Sequence, residues 1–173
     1  KVYKPSEFHR QNANPIGNQT HFIAGDKDGN VFFDSDQSLI RYDIQTQKFS
    51  CLRKSNVYTV ASIKGTIWVG IADSILTWNP DKNDFDFVTR LENRNQRATC
   101  LLEDSGGRYW IGTTDGLFRM NDDKSLTCMI MGEDIYDLYE DSKYNLWISI
   151  RMNGMYKRDV HGNFTRYRYD PSN

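Results

Sequence analysis

Two pairs of adjacent carboxylates, Glu103-Asp104 and Glu140-Asp141, are the residues of this 173-residue chain whose types could support acid–base catalysis. A catalytic pair needs two groups held in different environments at one site. These pairs instead recur at the same point of a repeated phrase, six residues before Trp110 and Trp147. Because an aspartate in a turn accepts hydrogen bonds from nearby backbone N–H groups, we interpret both pairs as turn caps.

A second candidate for site chemistry is a calcium loop at Asp26-Lys27-Asp28-Gly29-Asn30. An EF-hand loop requires glycine at its sixth position and glutamate at its twelfth, where this chain has Val31 and Gln37. The sequence contains no nucleophile elbow, zinc-protease or phosphate-loop motif. We therefore expect no catalytic residue, no bound metal and no cofactor. The three histidines are widely scattered: His9, His21 and His161.

The charge balance argues against nucleic-acid binding by this chain. The sequence has 22 basic and 23 acidic residues, for a net charge of −1. A nucleic-acid interface needs an excess of Lys and Arg on one face. No run of 18 apolar residues is present, so the sequence predicts no membrane-spanning helix.

A repeat with a period of about 40 residues organises the chain. Its most regular feature is an aromatic residue within a short apolar run, which we call the anchor. The four anchors are separated by 36, 42 and 37 residues: Phe32, Trp68, Trp110 and Trp147. A residue repeated at one place in every unit serves the unit, so we interpret the anchors as packing residues between neighbouring repeats.

Each repeat reads as four short strands separated by turns rich in Gly, Asp and Asn. Four antiparallel strands in about 40 residues are typical of a β-propeller blade. The sequence therefore predicts an all-β protein made of four whole blades and a half blade, within one propeller segment over residues 1–173. The predicted divisions are outer strands of a preceding blade at 1–10, blades at 21–52, 57–88, 98–130 and 135–167, and a connector at 168–173.

Two arrangements of these blades remain open. In one, the chain is an arc of a larger ring of about seven blades, and the arc exposes two apolar blade faces. In the other, four blades close a ring and residues 1–10 form a latch on its outer edge. The additional half blade favours the arc.

The third repeat carries a family resemblance. The stretch from Leu101 to Arg119 contains Glu-Asp-Ser, then Trp-Ile-Gly-Thr, then Gly-Leu-Phe-Arg, and it resembles the two-component regulator propeller repeat. The stretch from Tyr139 to Lys157 is a close second copy. The two earlier copies are degraded, because Ala61-Ser62 stands in place of Glu-Asp and Phe32 in place of Trp.

The resemblance implies a function that composition and periodicity do not show. Members of this family are periplasmic sensor regions of Bacteroides-type hybrid two-component histidine kinases, and they respond to oligosaccharides from glycan breakdown. The resemblance thus implies an extracytoplasmic segment of an inner-membrane protein. It also implies a membrane helix and a kinase elsewhere in the full chain, and a homodimeric sensor.

Candidate ligand contacts are the residues that interrupt the repeat. An insertion before the third blade contains Arg94, Asn95 and Arg97, and the turn after the fourth anchor contains Arg151 and Asn153. Arginine and asparagine can form planar hydrogen bonds to sugar hydroxyls or carboxylates. Tyr136 is a candidate stacking platform for a sugar ring.

Three functions compete on the sequence alone. The first is a ligand sensor, the second is a propeller that mediates protein–protein contacts without sensing, and the third is a propeller enzyme. The ligand sensor is favoured if three arginines converge on one pocket: Arg94, Arg97 and Arg151. The protein–protein propeller is favoured if they are scattered over a surface. The third needs convergent carboxylates or a histidine pair, and the sequence offers no motif for either.

Overall fold

The computed structural model describes residues 19–35, 37–93 and 95–168. In these ranges all regular structure is β-strand, and no helix is long and apolar enough to cross a membrane. The strands, in chain order, are β1 (Ile23–Gly25), β2 (Val31–Ser35), β3 (Ser38–Asp43), β4 (Lys48–Arg53), β5 (Val57–Ile63), β6 (Thr66–Ile71), β7 (Ser74–Asn79), β8 (Asp84–Arg90), β9 (Ala98–Glu103), β10 (Tyr109–Thr113), β11 (Gly116–Met120), β12 (Leu126–Met131), β13 (Ile135–Glu140), β14 (Leu146–Ile150), β15 (Met155–Arg158) and β16 (Phe164–Tyr167).

These strands form four four-stranded antiparallel sheets, each built from consecutive strands. We call them blade 1 (β1–β4), blade 2 (β5–β8), blade 3 (β9–β12) and blade 4 (β13–β16). Such up-and-down sheets arise because short strands are joined by tight turns at alternating ends. The predicted all-β fold with four-stranded antiparallel blades is confirmed.

The chain divides into two compact units. The first comprises Lys1–Ala72 and Leu76–Phe87, and the second comprises Asp73–Ile75 and Val88–Asn173. The predicted half blade at 1–10 lies outside the described residues, as does the predicted connector apart from Arg168. The arc and the closed ring therefore both stay predictions, as does the assignment of the chain to one propeller segment.

In the first unit, the anchor of blade 1 packs against blade 2. Phe32 is fully buried, and its ring meets the Trp78 ring edge-on at 5.4 Å between centroids. Trp78 lies on β7, the third strand of blade 2. Val57, Ile67 and Val69 belong to the same buried cluster. Phenylalanine can replace tryptophan here because the anchor contributes a large apolar surface to the contact between sheets.

In the second unit, the anchor of blade 3 makes the corresponding contact with blade 4. Trp110 is fully buried, and the guanidinium of Arg158 lies over its ring at 5.3 Å from the centroid. Arg158 ends β15, the third strand of blade 4. Leu138, Ile148 and other apolar residues of blade 4 complete this cluster. The interpretation of the anchors as packing residues is confirmed for Phe32 and Trp110.

Close packing in the second unit also explains the glycine of the Trp-Ile-Gly-Thr phrase. A Cβ atom on Gly112 would lie 2.3 Å from the Cys100 sulfur and 2.7 Å from Ile135 Cγ2. Cys100 is on β9 of the same blade, and Ile135 is on β13 of the next one. Any side chain at Gly112 would therefore separate blades 3 and 4.

We predict that Gly112→Ala lowers the free energy of unfolding by about 1–3 kcal/mol, because added atoms in a close-packed core force its neighbours apart. Urea unfolding followed by tryptophan fluorescence would measure the change. Gly25→Ala is the matched control, since its Cβ would meet only the Asn30 carbonyl oxygen at 3.8 Å. Equal stability losses in the two variants would contradict this account of Gly112.

Candidate functional site

The carboxylate of Asp104 holds the β9–β10 turn and the anchor of blade 3 together. Its Oδ1 atom accepts a hydrogen bond from the Arg108 backbone N–H at 2.9 Å. Its Oδ2 atom accepts one from the Trp110 indole N–H at 2.8 Å and one from the Arg108 Nε at 2.7 Å. Burial alone would raise the pKa of Asp104, but these hydrogen bonds hold it below its ordinary value.

Asp141 repeats this arrangement in blade 4. It accepts hydrogen bonds from the Trp147 indole N–H at 2.8 Å and from both the side chain and the backbone of Asn145. The indole hydrogen bond is the largest cause of the lowered pKa of Asp141, followed by those from Asn145. In blade 1, where Phe32 has no indole, Asp26 binds the backbone and side-chain N–H groups of Asn30. The interpretation of these aspartates as turn caps is confirmed.

Glu140 has a different role from its neighbour Asp141. Its carboxylate accepts hydrogen bonds from the backbone N–H and the hydroxyl of Ser105, at 2.7 and 2.9 Å. Ser105 lies in the β9–β10 turn, so Glu140 connects blade 4 to blade 3. The sequence interpretation assigned turn capping to the carboxylate pairs through their aspartates, and Glu140 caps the preceding turn. The sequence pattern does not distinguish a hydrogen bond within a turn from one to the preceding turn.

These groups are poorly suited to proton transfer or nucleophilic attack. The lowered pKa values of Asp104 and Asp141 keep both ionised at neutral pH, so neither can act there as a general acid. Burial raises the pKa of the Cys100 thiol to about 12, which removes the thiolate that nucleophilic chemistry requires.

The opposite end of the second unit brings several loops together, and we call it the connector end. It contains the β10–β11 turn, the β12–β13 connector and the β14–β15 turn. Backbone hydrogen bonds link them, from the Gly132 N–H to the Asp115 carbonyl at 3.0 Å and from the Arg151 N–H to the Asp134 carbonyl at 2.8 Å. The interrupted parts of the repeat are thus fixed by backbone pairing.

Three of the predicted ligand contacts lie around this end of blade 4. The Arg151 Nε donates to the Asp134 carboxylate at 2.9 Å, and its guanidinium lies over the Tyr136 ring at 5.0 Å. The Asn153 side-chain N–H donates to Glu133 at 2.9 Å. Glu133 also forms an ion pair with Arg166 at 2.9 Å. We call Glu133, Asp134, Tyr136, Arg151, Asn153 and Arg166 the polar cluster.

The other predicted contacts have different neighbours. The Arg97 guanidinium donates to the Gln96 carbonyl at 2.8 Å, and its backbone N–H donates to the Thr114 hydroxyl at 3.2 Å. The Asn95 backbone N–H donates to the Asn93 side chain at 3.0 Å. Arg94 lies outside the described residues.

Sequence reasoning missed three charged members of the polar cluster. Glu133, Asp134 and Arg166 lie at ordinary repeat positions, so an alignment searched for interruptions passes over them. The available signal was charge complementarity, because the acidic residues Glu133 and Asp134 precede blade 4, and Arg151 and Arg166 follow later in that blade. Arg151 covers part of the Tyr136 ring, and the expectation that Tyr136 stacks on a sugar ring stays a prediction.

A comparison with known protein families gives one match in this part of the chain. The family described as "Two component regulator propeller" matches residues 94–115. Residues 94–115 resemble a two-component regulator propeller repeat. This stretch contains the insertion, β9, the Asp104 turn and β10 of blade 3, and the match confirms the resemblance predicted from the sequence.

Solved structures with similar folds include extracellular domains of Bacteroides sensors. The extracellular domain of the hybrid two component system BT4673 from B. thetaiotaomicron is 19% identical, with a TM-score of 0.78 over 95% of this chain and 24% of that one. The corresponding domain of BT3049 from the same organism is 20% identical, with a TM-score of 0.72 over 91% and 23%. This chain therefore spans about 24% of the length of the first of these relatives.

An enzyme shares the same fold. Virginiamycin B lyase from Staphylococcus aureus is 16% identical, with a TM-score of 0.70 over 90% of this chain and 57% of the lyase. No curated protein sequence matches the chain. At these identities the structural comparisons show the propeller fold, which hosts both sensors and enzymes.

We predict that in the Asp141→Asn variant the free energy of unfolding depends less on pH in the acid range than it does in the parent. Because the pKa of Asp141 is lowered in the folded state, its ionised form stabilises the fold above the unfolded pKa of about 3.9. This stabilisation is lost as the pH falls from there through the folded pKa. Urea unfolding between about pH 6 and pH 2 should show a smaller loss of stability for the variant than for the parent.

Trp147→Phe is the matched comparison, because it removes the indole donor and keeps an aromatic anchor. It should also reduce the acid dependence, although less than Asp141→Asn does, since Asn145 still donates to the carboxylate. An acid dependence unchanged in both variants would contradict the role assigned to this hydrogen bond.

Proposed function

We propose that this chain is a ligand-sensing propeller segment of an extracytoplasmic two-component sensor, and that the ligand is an oligosaccharide. The observation that carries the proposal is the polar cluster, in which two guanidinium groups, two carboxylates, an amide and a phenol ring meet at the connector end of blade 4. The repeat match at residues 94–115 and the fold shared with extracellular sensor domains support it.

The chemistry of the polar cluster suits a molecule with many hydroxyl groups. Arg151 uses its Nε toward Asp134, so its terminal N–H groups remain candidates for donation to ligand oxygens. The carboxylates of Glu133 and Asp134 can accept from sugar hydroxyls. The Tyr136 side chain is 59% exposed and offers apolar surface to a sugar ring. Donors, acceptors and an aromatic surface are thus held together by the β12–β13 connector, the β14–β15 turn and the adjoining strand β13.

The proposed signal is a shift between two arrangements of a homodimeric sensor. A ligand shifts such an equilibrium only by binding one arrangement more tightly than the other. In this proposal the segment is periplasmic and non-enzymatic, and it binds no nucleic acid. The membrane helix and the histidine kinase lie elsewhere in the full protein.

The proposal predicts that oligosaccharide binding depends on Arg151 and Tyr136. Isothermal titration of the purified protein against a panel of neutral and acidic oligosaccharides should identify a binding member. Arg151→Lys and Tyr136→Ala should then each weaken its binding by about tenfold or more, because lysine lacks the planar guanidinium and alanine lacks the ring.

Lys143→Ala is the matched control, because exposed Lys143 lies in the turn capped by Asp141 at the opposite end of the blade. The oligosaccharide affinity of the Lys143→Ala variant should equal that of the parent. If the folded protein binds no member of the panel, or if Lys143→Ala weakens binding as much as Arg151→Lys, oligosaccharide sensing at the polar cluster is contradicted.

A protein partner is the second candidate function, and a specific observation favours it. Met152 is 100% exposed at the tip of the β14–β15 turn, and Met131 is 75% exposed before the β12–β13 connector. Exposed methionine, tyrosine and arginine together are typical of protein interfaces. Met152→Ser should leave oligosaccharide affinity unchanged if the ligand is a sugar, whereas it should weaken capture of a protein partner.

A further inference from the structure

The contact between blades 3 and 4 differs from the contact between blades 1 and 2 in the residue that covers the anchor. In the first unit, Trp78 covers Phe32, and the Arg41 guanidinium lies over the Trp78 ring at 5.5 Å from its centroid. In the second unit, Arg158 takes the place of Trp78 and lies over the anchor Trp110. A guanidinium therefore stands where the other contact has an aromatic ring.

Arg119 is the counterpart of Arg41 in blade 3. Each of these two arginines is paired with the anchor of its own blade, across the second and third strands. Directly paired residues lie on one face of a sheet, with their Cβ atoms about 5 Å apart. Arg119 thus lies beside Trp110, on the face of blade 3 that Arg158 covers.

Arg119 lacks the carboxylate that balances the charge of Arg41. A terminal N–H of Arg41 donates to Asp43, two residues further along the chain, at 2.9 Å. The residue two places after Arg119 is Asn121, which has no charge and donates to hydroxyl groups of its own hairpin. Among the described residues, no hydrogen bond or ion pair holds the Arg119 guanidinium.

The Arg158 guanidinium is also incompletely paired. Its Nε is buried and has no hydrogen-bond partner in the described part of the chain, and one terminal N–H donates to the Asp159 backbone carbonyl at 3.4 Å. Burial is the main cause that lowers the pKa of Arg158, and the charges of Arg108 and Arg119 lower it further. Like charges gathered at a half-buried site are unfavourable unless an anion compensates them.

The acidic groups of this region are engaged elsewhere. The Asp104 carboxylate accepts the hydrogen bonds of the anchor and its turn. The Asp159 carboxylate accepts hydrogen bonds from its own turn. Three guanidinium groups share these two carboxylates: those of Arg108, Arg119 and Arg158. An uncompensated positive charge therefore lies between blades 3 and 4.

From these observations we propose that the contact between blades 3 and 4 binds an oxyanion, a phosphate or a sulfate group, between the guanidiniums of Arg119 and Arg158. We call this place the anion site. A guanidinium presents its N–H donors in a planar fork that matches the oxygens of a phosphate group, and a sulfate group has the same tetrahedral arrangement. The group is either a free anion or an ester on a larger molecule, since both present these oxygens.

The anion site is separate from the polar cluster of the proposed function. Arg108 lies in the β9–β10 turn, and Arg158 is the last residue of β15. Arg151 lies in the β14–β15 turn, at the start of that strand. The anion site is therefore at the opposite end of blade 4 from Arg151, and it does not rest on oligosaccharide sensing.

Titration of the purified protein with sodium phosphate tests the proposal, with sodium chloride adjusted to hold the ionic strength constant. Isothermal titration should show saturable binding with a Kd of about 1 mM or lower, as expected for a few charge-assisted hydrogen bonds. Arg119→Gln should weaken this binding by about tenfold or more, because it removes one of the two guanidiniums.

Arg41→Gln is the matched control, because Arg41 has the same place in blade 1 but is already paired with Trp78 and Asp43. The phosphate affinity of this variant should equal that of the parent. Absence of saturable binding to the folded parent would overturn the proposal. So would an Arg41→Gln variant that loses as much affinity as Arg119→Gln.

A second measurement uses the parent alone, so it holds even if Arg119→Gln does not fold. Backbone amide resonances of Arg119 and Arg158 should shift with phosphate along one saturation curve, whereas those of Arg41 and Arg151 should not. Shifts centred on Arg151 instead would overturn the anion site, because the phosphate would then bind at the polar cluster.

The source of the anion is distinguished by comparing inorganic phosphate with glucose 6-phosphate, using glucose as the neutral control. If glucose 6-phosphate binds more tightly than inorganic phosphate, the anion site takes an ester. Otherwise it takes a free anion. Glucose should not displace phosphate, and displacement by glucose would contradict recognition through the oxyanion.

Discussion

The hydrogen bond from the Trp110 indole to the Asp104 carboxylate is the interaction on which the second unit depends. It ties the anchor to the turn that precedes it, so one aspartate fixes both the hairpin and the orientation of the ring. With the ring held in this way, its face is available to the next sheet, and Arg158 covers it. A four-stranded sheet cannot bury both of its faces alone, so stability comes from such contacts between successive blades.

In the proposed function, the regular and the variable positions of the repeat have different roles. The regular positions serve the fold, because Trp110, Gly112 and Asp104 are fully engaged in packing and turn formation. The variable loops at the connector end do not carry that packing. They are held by backbone pairing to neighbouring loops, which leaves side chains such as Arg151 and Tyr136 able to differ between repeats and to contact a ligand.

Much of the fold could be predicted from the sequence because it follows from local patterns. The spacing of Phe32, Trp68, Trp110 and Trp147 gave the repeat, and the Gly, Asp and Asn turns gave the strands between them. The candidate site was harder to predict, because its partners are distant in sequence. The pairing of Arg166 with Glu133 spans most of a blade, and the bond from Ser105 to Glu140 joins two blades. Neither leaves a periodic signature.

The repeated phrase packs the blades, and the central proposal is that its interruptions bind ligand. Hydrogen exchange of the protein with and without a saturating oligosaccharide, read residue by residue, tests it most directly. The account predicts slower exchange in the β12–β13 connector and the β14–β15 turn around Arg151, with no change in the turns capped by Asp104 and Asp141. Slower exchange confined to those capped turns, with none near Arg151, would contradict it.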